Sequence, residues 1–216
     1  MDIRIVAGGP EEALPDLVTI AAGMDGALWC GADRGALVLA ECGINMEAAF
    51  GDFDSVTDEE LTVIRQSANN VYVYPPEKNE TDLELCLAWA YRQKPDRIII
   101  YGATGGRMDH SMGNIMLLAS DEHLRQPVKA SIVDRQNEIS FFYPGNYTIH
   151  ENDKRYVSFI PISEEITGIT LTGFLYPLEN ATLKRGRTLS ISNQLNSQTG
   201  NFSFSSGILM MIRSTD

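Results

Sequence analysis

Hydrophobic and polar positions alternate in the first part of the chain between short apolar runs and helical periodicities. The apolar runs predict strands at Ile3–Ala7, Ala27–Gly31, Ala48–Phe50, Val71–Tyr74 and Arg97–Tyr101. Between them, apolar residues at helical spacing predict helices at Gly35–Glu41, Asp58–Gln66, Asp82–Arg92 and Ser111–Ala119. Strands that alternate with helices in this way indicate a parallel sheet with crossover helices.

The pattern changes after Pro127 to short runs rich in β-branched and aromatic residues. These runs predict strands at Ala130–Val133, Ile139–Tyr143, Tyr156–Ile160, Ile169–Thr172, Thr188–Ser192 and Phe202–Phe204. Turn residues separate them at the spacing that is typical of an antiparallel sandwich. We therefore predict an α/β domain over residues 1–127, followed by an all-β sandwich domain over residues 128–216.

Composition narrows the classes of function. The chain has 216 residues, 44% of them hydrophobic, and a net charge of −12. Such an acidic protein is a poor partner for duplex nucleic acid, because that binding depends on lysine and arginine. It suits a cationic substrate, or a nucleotide whose phosphates are bridged by a divalent cation. The three cysteines show no metal-binding spacing, and no signal peptide or membrane segment is evident, so we expect a cytoplasmic protein without a membrane partner.

Polar clusters follow the predicted strands directly, at the carboxyl edge where open α/β sheets bind ligands. Asp33, within Gly31–Gly35, could accept a hydrogen bond from a sugar-like hydroxyl, bind metal or cap a helix. Asp52 and Asp54 form a D-x-D pair that could hold one magnesium ion or could belong to an acidic turn. Asp82 opens a predicted helix, either adding to that metal site or complementing the helix dipole, and Lys78 could reach phosphate oxygens.

A glycine-rich loop follows the strand at Arg97–Tyr101. Its glycines would let the backbone approach a phosphate, and Arg107 offers a planar fork of donors for two phosphate oxygens. The segment lacks the ending of a Walker A loop, and an ordinary turn with an exposed arginine is the alternative. The candidate nucleotide-binding residues are Lys78, Asp82, Gly102, Thr104, Gly105, Gly106, Arg107 and Asp109.

The ordered set of segments "GADRGA" (31–36), "GDFDS" (51–55), "KNETDLELCL" (78–87) and "GATGGRMDH" (102–110) resembles the thiamine pyrophosphokinase family. The likeness continues through "YPLENATLKRGRTLSISNQL" (176–195) and "FSFSSGILMMI" (202–212). The resemblance implies an α/β domain plus a β-sandwich, and a homodimer with thiamine bound between domains of different subunits. The implied activity is transfer of pyrophosphate from magnesium-bound ATP to thiamine, which releases AMP and makes thiamine diphosphate.

Residue roles follow from the same resemblance. Asp52, Asp54 and Asp82 match acidic positions around magnesium and the triphosphate, and Arg107 matches a phosphate-contacting position. The expected thiamine-binding residues are Asp33, Asp54, Ser192 and Asn193. The chain departs from the family pattern in two places. Leu209 and Met210 stand where some members carry a stacking aromatic residue, and Arg34 stands where many have a second glycine.

Two other functions remain open from the residues. One is a different magnesium-dependent phosphoryl or nucleotidyl transferase, because the four loops indicate a triphosphate and magnesium better than they indicate thiamine. The other is a non-catalytic nucleotide-sensing module whose β domain binds a protein partner. The full set of carboxylates and the phosphate arginine favour an enzyme over a sensor.

Overall fold

The computed structural model describes residues 1–23 and 26–216, in two compact units. The first unit comprises residues 1–117 and 126–135, and the second comprises residues 118–125 and 136–216. The chain therefore leaves the first unit, returns to it for one strand, and leaves it again. The predicted fold class, a parallel α/β part followed by an antiparallel β part, is confirmed.

In the part of the first unit that the structure describes there are six strands and five α-helices. The strands are β1 (Asp2–Val6), β2 (Leu28–Ala32), β3 (Met46–Gly51), β4 (Ala68–Val73), β5 (Arg97–Tyr101) and β6 (Ala130–Val133). The helices are α1 (Leu17–Ala22), α2 (Arg34–Glu41), α3 (Asp58–Ser67), α4 (Asp82–Arg92) and α5 (Met108–Leu117), with a 3-10 turn at Glu11–Ala13. Sequence periodicity did not predict α1 or the 3-10 turn, which are both short.

The six strands pair in parallel in the order β4-β3-β2-β1-β5-β6. The order reverses direction beside β1, because β2 pairs with one of its edges and β5 with the other. Loops that leave β1 and β5 therefore diverge at their carboxyl ends and open a crevice, the usual place for ligands in such sheets. Buried Ile3, Ile5, Ile98 and Ile100 form the middle of this sheet.

Capping residues set the starts of the helices that matter for the site. Thr81 accepts a hydrogen bond from the backbone N–H of Glu84, and the Glu84 carboxylate accepts one from the Thr81 N–H. Thr57 and Glu60 make the same reciprocal pair at the start of α3. Such a box satisfies two backbone donors that the helix leaves open. It therefore fixes where α4 begins, and with it the position of Asp82 in the first turn.

The second unit contains one short helix and eight strands in two antiparallel sheets. The elements are α6 (Asp121–Leu124), β7 (Asn137–Phe142), β8 (Gly145–His150), β9 (Tyr156–Pro161), β10 (Glu165–Thr172), β11 (Leu178–Lys184), β12 (Asn193–Gln194), β13 (Thr199–Phe204) and β14 (Leu209–Ser214). Within this unit β12-β9-β14-β7 lie side by side, and the other sheet has the order β11-β10-β13-β8. Phe159, Phe174 and Phe202 pack in the core of the unit.

Two strand predictions were wrong. Ala130–Val133 was expected among the antiparallel strands, but β6 pairs in parallel with β5 and belongs to the first unit. Its short apolar run does not distinguish parallel from antiparallel pairing. Thr188–Ser192 was expected to be a strand, but the residues form a turn in which Leu189 and Ile191 are exposed and Ser192 has a φ of 57°. The division at residue 127 is otherwise untested and stays a prediction.

Among the helices that the structure describes, none combines the length and the hydrophobicity that crossing a bilayer requires. Cys30, Cys42 and Cys86 are free thiols, and Cys30 and Cys86 are buried. Burial raises the pKa of the Cys86 thiol well above its usual value.

Candidate functional site

The carboxyl ends of the first unit's strands border an open cleft of about 570 Å³. This volume lies within the range of small-molecule sites. The structure brings residues of all four predicted segments to the lining, among them Asp33, Asp52, Asp82 and Arg107. The predicted convergence of these segments at one sheet edge therefore matches the geometry.

A cluster of three carboxylates lies at this edge. One oxygen from each of Asp33, Asp52 and Asp54 lies within 4.8 Å of the others. The loop after β3 turns back so that the backbone N–H of Asp54 donates to Asp52 Oδ1 at 3.2 Å. Carboxylate oxygens are the ligands that hard cations such as magnesium prefer, so this donor set fits a divalent cation.

The backbone of Asp33 has an unusual conformation, with a φ of 49° and a ψ of −125°. Residues other than glycine avoid this region, and holding one there costs about 1–3 kcal/mol. Asp33 occupies the N-cap position of α2, but among the described residues its side chain caps no helix N–H. Its Oδ1 instead accepts a hydrogen bond from Ser55 Oγ at 3.0 Å. The helix-cap interpretation of Asp33 is therefore wrong, and its carboxylate is directed to the acidic cluster.

Phe53 anchors the D-x-D loop. Its ring is buried and packs in the core of the first unit, while Asp52 and Asp54 on either side keep access to solvent. Phe53 has a φ of 56°, so the chain turns sharply at this residue. A buried aromatic ring between two carboxylates thus fixes the loop to the core and holds both charges at the surface.

Asp82 lies outside the cluster of three and pairs with Lys78. The Lys78 ammonium, from the loop four residues before Asp82, is 2.7 Å from Asp82 Oδ1. Burial raises the pKa of Asp82, the Lys78 ammonium opposes that rise, and the charges of Asp33 and Asp52 add to it. The negative charges of the cluster therefore act on Asp82 even though it lies outside the cluster. The predicted metal set of Asp52, Asp54 and Asp82 stays a prediction, and in the described geometry Asp33 takes the place of Asp82.

The loop after β5 is shaped by its glycines. Gly102, Gly105 and Gly106 have φ values of 66°, 86° and 64°. A Cβ on Gly102 would lie 2.4 Å from the carbonyl oxygen of Ala7, so a side chain there would collide with the backbone after β1. The loop is therefore held close against its neighbour across the switch point.

Side chains from later in the first unit hold this loop in place. Asn114 donates to the Ala103 carbonyl at 2.9 Å, and Ser111 Oγ donates to the Gly105 carbonyl at 2.9 Å. Thr104 Oγ1 donates to Asp134 Oδ2 at 2.7 Å. The Thr104 hydroxyl is thus engaged by the protein, and its assignment to ATP binding stays a prediction.

Arg107 lines the cleft with its guanidinium turned to Asp109. Two bonds join them, from Nε to Oδ1 at 3.2 Å and from Nη2 to Oδ2 at 2.6 Å. The guanidinium lowers the pKa of Asp109 to about 2. Both side chains are largely exposed, so the pair can exchange partners readily. The Arg107 guanidinium, which the sequence analysis assigned to phosphate, is therefore bound to the Asp109 carboxylate.

The predicted thiamine-binding pair lies in the second unit. Ser192 is exposed, whereas Asn193 is buried. The Asn193 side chain accepts a bond from the Tyr176 N–H at 3.0 Å and donates to the Tyr176 carbonyl at 2.8 Å. Asn193 therefore holds the backbone of an exposed tyrosine. Leu209 is fully buried in the core of this unit, so it presents no surface to a substrate.

Sequence reasoning missed Gly8, Gly9 and His110, which all line the cleft. The Gly9 N–H donates to the Gly102 carbonyl at 2.8 Å, which joins the loops after β1 and β5. The signal was present, because a glycine pair directly follows the first predicted strand. His110 follows the Arg107–Asp109 pair and was interpreted as a surface or packing residue.

A parallel sheet with carboxylates and a glycine loop at its switch point, followed by an antiparallel β unit, is the arrangement of a two-domain α/β enzyme with its ligand site at the sheet edge. Residues 24–130 match the family model described as "Thiamin pyrophosphokinase, catalytic domain", and residues 146–209 match "Thiamin pyrophosphokinase, vitamin B1 binding domain". The chain belongs to the thiamin pyrophosphokinase family. The resemblance drawn from the motifs is thereby confirmed.

Individual relatives agree with this assignment. Thiamine pyrophosphokinase of Bacillus subtilis (strain 168) is 49% identical over 215 residues, which cover 99% of each chain. The crystal structure of thiamine pyrophosphokinase from Bacillus subtilis matches with a TM-score of 0.92 at 48% identity, over 100% of both chains. Thiamin pyrophosphokinase from Candida albicans has the same fold, with a TM-score of 0.82 at 16% identity over 99% of this chain and 89% of that one.

Proposed function

We propose that this protein transfers a pyrophosphoryl group from magnesium-bound ATP to the primary hydroxyl of thiamine, releasing AMP. The observation that carries the proposal is the meeting of three carboxylates with a glycine-arginine loop in one cleft. The thiamine hydroxyl oxygen attacks the β-phosphorus, and the bond from that phosphorus to the α–β bridging oxygen breaks. AMP leaves, and the hydroxyl proton passes to a base.

Asp33, Asp52 and Asp54 are the residues that would hold magnesium. A bound magnesium ion supplies neutralising charge to the phosphoryl oxygens as the reaction proceeds. The three carboxylates also form an acidic surface that favours the thiazolium cation of thiamine. Binding both substrates at one cleft places the hydroxyl in line with phosphorus, which accounts for a large share of such catalysis.

Arg107 and the glycine loop would bind the phosphates. The backbone at Gly105 and Gly106 carries no side chain, so phosphate oxygens can approach its N–H groups closely. Arg107 would exchange or share its bonds to Asp109 with a phosphate, which matches its planar fork. Asp109 would then serve to hold the guanidinium in position before the nucleotide binds.

Asp82 is our candidate for the base that accepts the thiamine proton. It lies outside the carboxylate cluster, and carboxylates that ligate a cation are poor bases. Its partial burial raises the pKa of the carboxyl, which makes the carboxylate a stronger proton acceptor. Lys78 holds its orientation through the 2.7 Å contact.

The direct experiment incubates the protein with ATP, magnesium and thiamine and separates the products. The proposal requires thiamine diphosphate and AMP in equal amounts. ADP with thiamine monophosphate would instead identify a simple kinase. Nucleotide binding without turnover would identify the sensing module. Asp58→Asn, an exposed change in the first turn of α3, is the matched control for charge removal and should keep full turnover.

We further propose a homodimer in which Ser192 of one subunit faces the carboxylates of the other, with thiamine between them. Exposed apolar residues support an interface. In the second unit these are Leu175, Tyr176, Leu189 and Ile191, and on α5 they are Met108, Met112 and Met116 at four-residue spacing. A homodimer interface would remove such apolar surface from water. The free cysteines agree with a reducing location, and we place the enzyme in the cytoplasm.

Complementation tests the shared site. One subunit carries Asp52→Asn with Asp54→Asn, and the other carries Ser192→Gly with Tyr176→Ala, which leaves the buried Asn193 intact. Each variant should be inactive alone, and a mixture that exchanges subunits should recover about one quarter of wild-type activity, since half the dimers are mixed and each keeps one intact site of two. No recovery would place each pocket within a single chain. Full activity of the second variant alone would remove that surface from the thiamine site.

A further inference from the structure

The charges that line the cleft are unevenly paired. Three cationic side chains lie there, Arg34, Lys78 and Arg107. Lys78 pairs with Asp82, and Arg107 pairs with Asp109. Within residues 1–23 and 26–216, Arg34 has no acidic partner at ion-pair distance, and its side chain is exposed. Arg34 is therefore the cleft cation that is available to an incoming anion without first giving up a carboxylate.

The position of Arg34 relates it to both halves of the site. It is the first residue of α2 and directly follows Asp33 of the carboxylate cluster. Its Cβ would lie 3.4 Å from a Cβ placed on Gly8, so its side chain starts beside the loop that follows β1. That loop contacts the glycine loop after β5 through the Gly9–Gly102 bond. Arg34 thus lies between the cluster that fits a cation and the loops that fit phosphate.

We propose that Arg34 binds a phosphate of the magnesium–ATP substrate and sets a large part of the affinity for the polyphosphate chain. This role rests on the proposed function of the same cleft. A triphosphate entering a cleft lined by Asp33, Asp52 and Asp82 meets repulsion that a cation only partly offsets. A guanidinium with no acidic partner supplies attraction at no exchange cost, and its fork fits two phosphate oxygens.

A different role for Arg34 is local charge balance. Arg34 also borders a neighbouring groove with Glu11 and Glu12. If it serves only to offset those carboxylates, removing its charge would change stability and leave nucleotide binding unaltered. The experiment below separates the two roles.

The test measures binding of magnesium–ATP by calorimetry without thiamine, so that it does not depend on turnover. Arg34→Gln should weaken magnesium–ATP binding by about 10-fold or more, as expected for loss of a charge-assisted bond. The affinity of Arg34→Lys for magnesium–ATP should lie between those of wild type and Arg34→Gln, because an ammonium keeps the charge but lacks the planar fork of donors. Arg65→Gln, an equal charge change on the exposed face of α3, is the control and should stay within about twofold of wild type.

Adenosine separates phosphate binding from a change in cleft shape. Its affinity, measured by ligand-observed NMR, should be equal in wild type and Arg34→Gln because it carries no phosphate. The proposal is overturned if Arg34→Gln binds magnesium–ATP within about twofold of wild type, if Arg65→Gln loses as much, or if adenosine affinity falls equally. In the steady state, the KM for ATP should rise and the KM for thiamine should not. A wild-type protein that binds magnesium–ATP and makes no thiamine diphosphate would refute the proposed function and leave the role of Arg34 standing.

Discussion

Replacing Asp33 should trade catalytic activity for stability. Asp33 holds a disfavoured backbone conformation and a charge within 4.8 Å of two other carboxylates. Two such charges in a water-like medium repel by about 1 kcal/mol at that separation. The backbone conformation costs about 1–3 kcal/mol more. Both costs are borne by the folded protein and are absent from the unfolded chain.

Two substitutions separate these costs. Asp33→Asn removes the charge, relieves the repulsion from both neighbours and keeps the backbone conformation, so the free energy of unfolding should rise by about 1–2 kcal/mol. Asp33→Gly also removes the backbone strain, but it loses the Ser55 hydrogen bond and gives the unfolded chain more conformational freedom. The net rise in the free energy of unfolding should be about 1–2 kcal/mol. Turnover of both variants should fall by about 100-fold, because a preorganised charge is missing.

Urea unfolding followed by tryptophan fluorescence is a suitable assay. Trp29 and Trp89 are the two tryptophans of the chain, and both lie in the first unit, so the signal reports that unit. In the presence of magnesium, Asp33→Asn should no longer be more stable than wild type, because the cation neutralises the wild-type cluster and stabilises the folded state that binds it. The reasoning fails if Asp33→Asn is less stable than wild type without magnesium, or if either variant keeps full turnover.

Two further predictions concern the same cleft. Asp52→Asn should lower turnover by at least about 100-fold and weaken manganese binding. Asp82→Asn should lower turnover as much but leave manganese binding unchanged. Equal manganese affinities in wild type and both variants would remove Asp52 from the metal site. Arg107→Gln should return the pKa of Asp109 from about 2 toward its usual value of 3.8, as NMR titration of the carboxyl would show. Because the pKa is lowered on folding, the pair stabilises the fold above pH 3.8 and loses that effect as pH falls toward 2. If the titration midpoint of Asp109 is the same in Arg107→Gln as in wild type, Arg107 is not the cause of the lowered pKa. If Arg107→Lys keeps wild-type turnover and ATP affinity, Arg107 does not bind a phosphate.

Helices with caps and strong periodicity could be predicted from the sequence. The helix at Asp82–Arg92 was predicted with the bounds that the structure shows, because Thr81 and Glu84 mark its start and apolar residues mark one face. Pairing direction could not be predicted for β6, since a short apolar run fits either direction. The turn at Thr188–Ser192 has alternating apolar residues that mimic a strand, yet Leu189 and Ile191 point to solvent.

The site was predictable as a set of loops but not as a set of contacts. The rule that ligands bind after the strands brought Asp33, Asp52 and Asp82 together correctly. It could not rank their distances, and the close group of three carboxylates in the structure consists of Asp33, Asp52 and Asp54. The predicted metal set of Asp52, Asp54 and Asp82 stays a prediction. Asp33 also has a φ of 49°, and no pattern of residue types reveals a backbone angle. Likewise, the Asp109 bonds of Arg107 depend on side-chain geometry.

The hydrogen bond between Thr104 and Asp134 spans 30 residues and affects the order in which the two ends of the cleft can assemble during synthesis. A nascent chain that has released only residues 1–127 carries every carboxylate of the cluster and every glycine of the phosphate loop. It still lacks β6, the partner of β5, and with it Asp134. During synthesis the acidic end of the cleft can therefore assemble first, and the phosphate end gains its brace only after the chain has left the first unit and come back.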